Sequence, residues 1–363
     1  MSGLVNAHTH LYGALAVHAF PPGTARPRGL PAILEAIWWR LDRALDEPML
    51  RAGARLYVAE ALLAGTTLLI DHHESPSCIE GSLDVLADAC QELGMPAVLC
   101  YGATERNGGP AEAARGLAEC ARFVRDNRRP LVRGLVGLHA SFTVSDDTVR
   151  TAGRLCRDLD VPLHLHLAED VVDVEDAHGR GYEGPLERLI ALEALPPGAI
   201  LAHGVHLTAA QVRLAGDHGA WLVQNPRSND GNGVGYPAAL AHGTRVALGT
   251  DGYAADMVRE LGALADQARA HGEAWSAAQA RLPAGAALAA QFFPGIDVAA
   301  APPEPGAEVR PWALATQQAS RARLVIGGRA VVERGALLTA RIEDLRAEAT
   351  HEGDRLAARL SHS

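Results

Sequence analysis

No lysine occurs among the 363 residues, so all 33 basic residues are arginine. Schiff-base chemistry on a lysine amine is thereby excluded, and so is a carboxylated lysine bridging two metal ions. Cysteine is sparse: Cys78, Cys90, Cys100, Cys120 and Cys156 form no CxxC pair, which argues against a disulfide framework and a thiolate zinc site. No basic block is present to neutralise phosphates, and the formal net charge is -10, so neither nucleic acid nor an anionic membrane is an expected partner. There is also no signal-peptide pattern and no apolar run long enough to span a bilayer. These features point to a reduced, cytoplasmic protein whose partner is a small molecule. A homodimer stays open.

What is present is a large apolar fraction, 48%, organised in eight strand-like runs. They are "GLVNAHTH" (3 to 10), "TTLLIDHH" (66 to 73), "PAVLCYGA" (96 to 103), "RGLVGLHASF" (133 to 142), "VPLHLHLAE" (161 to 169), "GAILAHGVH" (198 to 206), "GAWLVQNP" (219 to 226) and "TRVALGTD" (244 to 251). Segments with helical spacing lie between them, such as "GSLDVLADACQELG" and "DDTVRTAGRLCRDL", with Ser82, Ser145 and Thr208 as expected N-caps. Strands alternating with helices over about 250 residues predict an α/β fold, a (β/α)8 TIM barrel with an open doubly wound sheet as runner-up. No Gly-rich phosphate loop follows the first run, which weakens the runner-up.

The texture changes after Phe293. "PGIDVAAAPPEPGAEVRP" reads as a connector, "ARLVIGGRAVVERGALL" as a hairpin around Gly327 and Gly328, and "IEDLRAEATHEGDRLAARL" as an amphipathic helix. The expected division is a barrel over 1–300 and, over 301–363, a linker, a reduced β appendage and a terminal helix.

Residues i and i+2 of a strand face the same way, so His8 and His10 point together into the barrel, and so do His164 and His166. In "HGVH", strand parity puts His206 inward and turns His203 toward the helices unless a bulge intervenes. Asp251 ends the eighth run. Three histidines and an aspartate at the C-terminal ends of strands form a plausible N3O site for one divalent metal ion, zinc first and iron second. Singly, each of these residues would read as a core, rim or turn residue. Trp38 and Trp39 read as packing a helix onto the barrel.

Together "NAHTHLYGAL", "HLHLAE", "AHGVHLT", "NPRSNDGNGVG" and "LGTDGYAADM" resemble the amidohydrolase superfamily, in particular its cytosine deaminase and chlorohydrolase-like branch. "DHHESPSCIEGSLDVLADACQELG" and "LCYGATERNG" are similar to SsnA-type aminohydrolases. The resemblance covers roughly residues 3 to 260. It implies that His8, His10, His166 and Asp251 bind one metal, that Glu169 is the proton shuttle, and that His206 orients the attacking water and stabilises the oxyanion. It also implies a substrate contact at His139. His164, Arg227 and Asn229 are further candidates for the substrate pocket.

The expected activity is hydrolysis of a non-peptide C–N bond by a metal-activated water, releasing ammonia from a small N-heterocycle, with Asp251 and Glu169 handling protons. The HxE and PCxxC signature of the other deaminase architecture is absent. A dechlorinating hydrolase differs only in its leaving group and stays open, as does a catalytically silent barrel retained for binding. The departures from the family pattern lie at both ends: the chain begins at the first barrel strand, and no stretch resembling "ADLVVLD" follows the barrel. Either most of the customary β-sandwich has been shed, or translation starts upstream of Met1.

Overall fold

A computed structural model describes residues 4–20, 27–296, 298–300 and 323–362. Each of the eight apolar runs supplies a barrel strand, most of them shorter than the run, and the fourth is split in two. The strands are β1 (Leu4–Thr9), β2 (Thr66–His73), β3 (Ala97–Ala103), β4 (Val132–Gly134), β5 (Val136–Ala140), β6 (Leu163–Leu167), β7 (Ile200–His203), β8 (Trp221–Gln224) and β9 (Val246–Leu248). Their hydrogen-bonded order is β1-β2-β3-β5-β6-β7-β8-β9, with the short β4 beside β3. A parallel bridge between Thr9 and Asp251 brings the last strand back to the first, so the sheet is a nearly closed (β/α)8 barrel.

The helices follow the amphipathic segments. Ser145 accepts from the Thr148 amide at the start of Asp146–Leu159, and Thr208 forms a reciprocal capping box with Gln211 at the start of Ala209–Asp217. Ser82 departs from expectation. The cap position is Gly81, left-handed at φ 81°, and the Ser82 hydroxyl donates instead to the Ile79 carbonyl. Alternation along β6 and β7 sends Leu165, Leu167 and Leu201 outward into a helix-facing core with Leu186 and Leu189, and leaves His164 and His166 for the interior.

The hairpin turns at Gly327 and Gly328, both left-handed with φ 56° and 79°, a conformation that glycine adopts without steric cost. It gains a strand on each side: β10 (Val298–Ala300), β11 (Leu324–Ile326), β12 (Arg329–Glu333) and β13 (Ala336–Leu337) form a four-stranded antiparallel sheet. Most of the expected connector, residue 297 and residues 301–311 of its span 294–311, lies outside the described residues. The terminal helix Ile342–Ser361 packs on the helix Glu47–Leu63. No helix among the described residues is long and apolar enough to cross a membrane.

Candidate active site

Three strand ends carry a non-glycine residue with left-handed backbone: Ala168 after β6 (φ 51°), His203 at the end of β7 (φ 75°) and Asp251 after β9 (φ 52°). Such conformations are strained for L-residues and gather where a site is being shaped. Their effect is clearest at His203. In the parallel register His203 lies beside Leu167, whose side chain packs against the helices. The left-handed turn breaks the alternation, and the His203 ring instead sits 5.6 Å from that of His8 and 5.5 Å from that of His166.

Ligand atoms of His8, His166, His203 and Asp251 all lie within 4.8 Å of one another. His10 joins them from β1, its Nε2 2.8 Å from Asp251 Oδ1 and 3.3 Å from His166 Nε2. The outward nitrogens of these rings are engaged behind the cluster. His10 Nδ1 bonds the His72 carbonyl, His166 Nδ1 bonds the His139 carbonyl at 2.6 Å, and His203 Nδ1 bonds Asn229 Oδ1 at 2.8 Å. With Nδ1–H donating outward, Nε2 keeps its lone pair for the centre of the barrel, the arrangement that orients imidazole ligands. His8 Nε2 and His203 Nε2 are buried and make no hydrogen bond. Two orphaned imidazole nitrogens converging with a carboxylate are a donor set that a divalent metal ion satisfies.

The charges of His8, His166 and Asp251 agree with that fit, whereas burial is outweighed at His10, which Glu74 and Asp251 raise well above the usual histidine value. Burial lowers His8 to about 3 and drives His166 well below the usual histidine value, so both are neutral, as ligation requires. Burial acts against the Asp251 carboxylate, but the His10 and His8 imidazoles beside it, at 2.8 and 3.4 Å, hold it well below the usual carboxylate range. Ser228 also donates to Asp251 Oδ2. Burial pushes the Glu169 carboxyl the other way, up to about 7, with His203 opposing the shift from 3.7 Å. Glu169 lines a small cavity over the cluster together with His10, His139, His166, Asn232 and Asp251. A proton exchanger poised near neutrality thus stands beside a metal-binding set.

Residues 1–289 match the model of the amidohydrolase family. The chain belongs to that family. Among its relatives is a 5-methylthioadenosine/S-adenosylhomocysteine deaminase of Halobacterium salinarum, 33% identical over 266 residues, which are 70% of this chain and 58% of the relative. A 5'-deoxyadenosine deaminase of Methanoregula boonei is 30% identical over 265 residues, 70% of this chain and 57% of that one. The match therefore spans less than two thirds of these relatives' length. An adenosine deaminase structure from Xanthomonas campestris with bound zinc superposes with a TM-score of 0.82 at 25% identity, covering 99% of this chain and 86% of the other.

In this amidohydrolase the structure brings His8, His10, His166, Asp251 and Glu169 together, and puts His139 on the cavity wall. It does not bring His206 there: that side chain is exposed beyond the turn at Gly204, and His203 occupies the inward place because its backbone is left-handed. His164 is fully buried, with Nε2 2.9 Å from His8 Nδ1, so it supports His8 from behind and has no face on the cavity. Asn229, also fully buried, supports His203. Arg227 is spent on Glu260 and on the Ala254 carbonyl, and faces an outer groove of about 800 Å³.

Sequence reasoning missed much of the rest of the cavity wall, including Tyr12, Asp42, Glu74, Phe142 and Asn232. Trp38 and Trp39 line the cavity as well, so their part is larger than helix packing. Asp42, pushed up to about 6 by burial, pairs with Arg106 at 2.8 Å. Glu74 lies two residues after His72, whose ring sits among those of His8, His164 and His166, and that same-face spacing is the signal that could have marked it.

Proposed function

We propose that this amidohydrolase is a metal-dependent aminohydrolase that deaminates a small N-heterocycle. The observation that carries the reading is Glu169, a buried carboxyl held near neutrality beside His203 and the convergent His and Asp ligand atoms. His8, His10, His166 and Asp251 are the residues that would hold the ion, with His203 beside them. The three-nitrogen, one-oxygen choice suits zinc first and iron second. When bound, such an ion supplies an acidified water and polarises the oxygen that becomes the product carbonyl.

The chain's own groups do the remaining work. Asp251 is ionised and takes a proton from the attacking water. Glu169 moves a proton to the ring nitrogen beside the reacting carbon and then to the departing amino group. His203 faces the oxygen bonded to that carbon, and His139 bounds the ring from the β5 side. The balance is one water in and one ammonia out: the water oxygen bonds to carbon, the exocyclic C–N bond breaks, and both water protons end on nitrogen. Five free thiols, four of them buried, suit a reducing cytoplasm.

The test is ammonia release from aminated pyrimidines, purines and triazines by zinc-loaded and iron-loaded protein, with Glu169→Gln alongside. Loss of about 100-fold or more in kcat at unchanged metal content supports the role of Glu169. Release of chloride from a chlorotriazine without ammonia from its amino analogue would favour a dechlorinating enzyme. No metal uptake at all would leave a binding barrel.

A further inference from the structure

Asp251 sits where the ladder of the barrel has run out. β9 ends at Leu248, and past it an isolated bridge to Thr9 is what continues the pairing. The residue is left-handed at φ 52°, and the Asp251 and Thr250 amides both donate to the His8 carbonyl, at 3.0 and 2.9 Å. A strained residue of this kind keeps its conformation only where neighbouring groups over-determine it. The two amide bonds hold one side of the turn. A phenol holds the other.

That phenol is Tyr57, on the helix Glu47–Leu63. Its hydroxyl donates to the Tyr253 carbonyl at 2.7 Å, lies 3.0 Å from Thr250 Oγ1, and also bonds Thr9 Oγ1. Thr9 Oγ1 in turn reaches the Asp251 carbonyl, 3.2 Å away. Thr250 is clamped from the barrel interior by Asn6, whose Nδ2 donates to Thr250 Oγ1 at 2.7 Å and whose Oδ1 accepts from the Thr250 amide at 3.0 Å. One hydroxyl thus meets a residue on each side of Asp251 and the β1 residue bridged to it. Burial pushes the Tyr57 phenol up, so it keeps its proton and remains a donor.

Tyr57 is 4% exposed and borders the outer groove, with no face on the reaction cavity. Whatever it contributes to the chemistry therefore passes through another residue. His8 and His10 depend on it least: β1 pairs with β2 along its length, and the outward nitrogens of the two rings have their own partners in His164 and the His72 carbonyl. Asp251 has no such ladder behind it. We infer that Tyr57 is a positioning residue whose hydroxyl locks the turn 250–253, so that the strained Asp251 presents its carboxylate beside His8 and His10. The inference rests on the metal-dependent reading above for what that carboxylate meets.

Tyr57→Phe keeps the packing of the ring and takes the donor from the Tyr253 carbonyl. The experiment is a double-variant cycle read in two ways. Competitive zinc titration of wild type, Tyr57→Phe, Asp251→Ala and the double variant reads the ion, and backbone hydrogen exchange of metal-free wild type and Tyr57→Phe reads the turn. The expected result is zinc binding weakened about tenfold by Tyr57→Phe when Asp251 is present, and less than about twofold in the Asp251→Ala background. The Asp251 and Tyr253 amides should exchange about tenfold faster, with β1 and β2 unchanged. Zinc affinity that is unchanged, or lost by the same factor in both backgrounds, overturns the inference, since the hydroxyl would then serve β1 or the fold at large. Exchange that is unchanged in the turn, or faster throughout the protein, overturns it as well. If wild-type protein takes up no zinc, the metal-dependent reading fails by itself, and the exchange measurement still decides: acceleration confined to 250–253 supports the lock, and any other pattern overturns it.

Discussion

His203 donates its Nδ1 hydrogen to Asn229 Oδ1 across 2.8 Å, joining the end of β7 to the helix Pro226–Asn232 that follows β8. The bond fixes the tautomer of a histidine whose strained backbone has already turned it inward, and so leaves Nε2 as the free base. Asn229→Ala removes the acceptor without touching the cluster. The expected outcome is zinc binding weaker by roughly 10- to 100-fold, with the metal-free protein melting close to wild type. A competitive zinc titration checks it; unchanged affinity would mean that packing alone orients His203.

Gly252, directly after Asp251, has the Trp38 ring across it: a Cβ at Gly252 would lie 2.6 Å from Trp38 Cη2. Trp38 closes the cavity on one side and borders the outer groove on the other. Gly252→Ala must displace that ring, so KM should rise on the order of tenfold while metal content stays the same. Steady-state kinetics on the best substrate, with Trp38→Phe added to relieve the crowding, check it. A double variant no better than Gly252→Ala would place the damage in the backbone of Asp251 instead.

Asp173 accepts from the Ala168 amide, the left-handed residue that delivers Glu169 to the cavity. Burial raises Asp173 from 3.8 to about 7. A carboxyl whose folded pKa is raised holds its proton more tightly in the native state, so its contribution to stability is complete at acid pH and is lost as pH climbs from about 4 to about 7. Asp173→Asn keeps an acceptor for Ala168 and cannot ionise. Thermal melts at about pH 5 and about pH 8 should show the variant gaining on wild type at the higher pH. A difference between the two proteins that does not change with pH would contradict the assignment.

Strand position made most of the metal-binding set legible, because His8, His10 and His166 obey the two-residue alternation and only need the strands placed. His203 defeated the same rule, since a left-handed residue reverses the face of the side chain and nothing in "AHGVH" announces that twist. Glu74 and Asp42 went unread for another reason. Each sits in a stretch where a carboxylate ordinarily meets solvent, a loop after a strand and a helix over the barrel mouth, and only the tertiary fold buries them. Asn229 and Arg227 share one short helix yet serve different ends, Asn229 toward His203 and Arg227 toward Glu260. Spacing along "NPRSN" could not separate them.

Asp46 shows how the terminal helix is tied to the site. Its Oδ1 accepts from the Met49 amide and caps the helix Glu47–Leu63, while Oδ2 accepts from Arg355 at 2.9 Å and Arg359 at 2.8 Å on the terminal helix. The capped helix packs against the turn Leu11–Leu15, which follows His10, so the cap reaches the cluster through two contacts. Asp46→Ala should cost about 1–2 kcal/mol, most of it from the lost cap, because the two arginines are well exposed and such pairs contribute little. Asp46→Asn keeps a capping acceptor and should cost less. Burial works against the Asp46 carboxylate, but the Met49 amide and the two arginines hold it below 3.8. A depressed carboxyl contributes stability above its unfolded pKa and loses it as pH falls through the folded value, so the gap between wild type and Asp46→Ala should narrow below about pH 4. Urea denaturation of the metal-free protein near neutrality and near pH 3 measures both parts. If Asp46→Asn proved as damaging as Asp46→Ala near neutrality and the difference vanished in acid, the arginine pairs would outweigh the cap, and the terminal helix would be held mainly by charge.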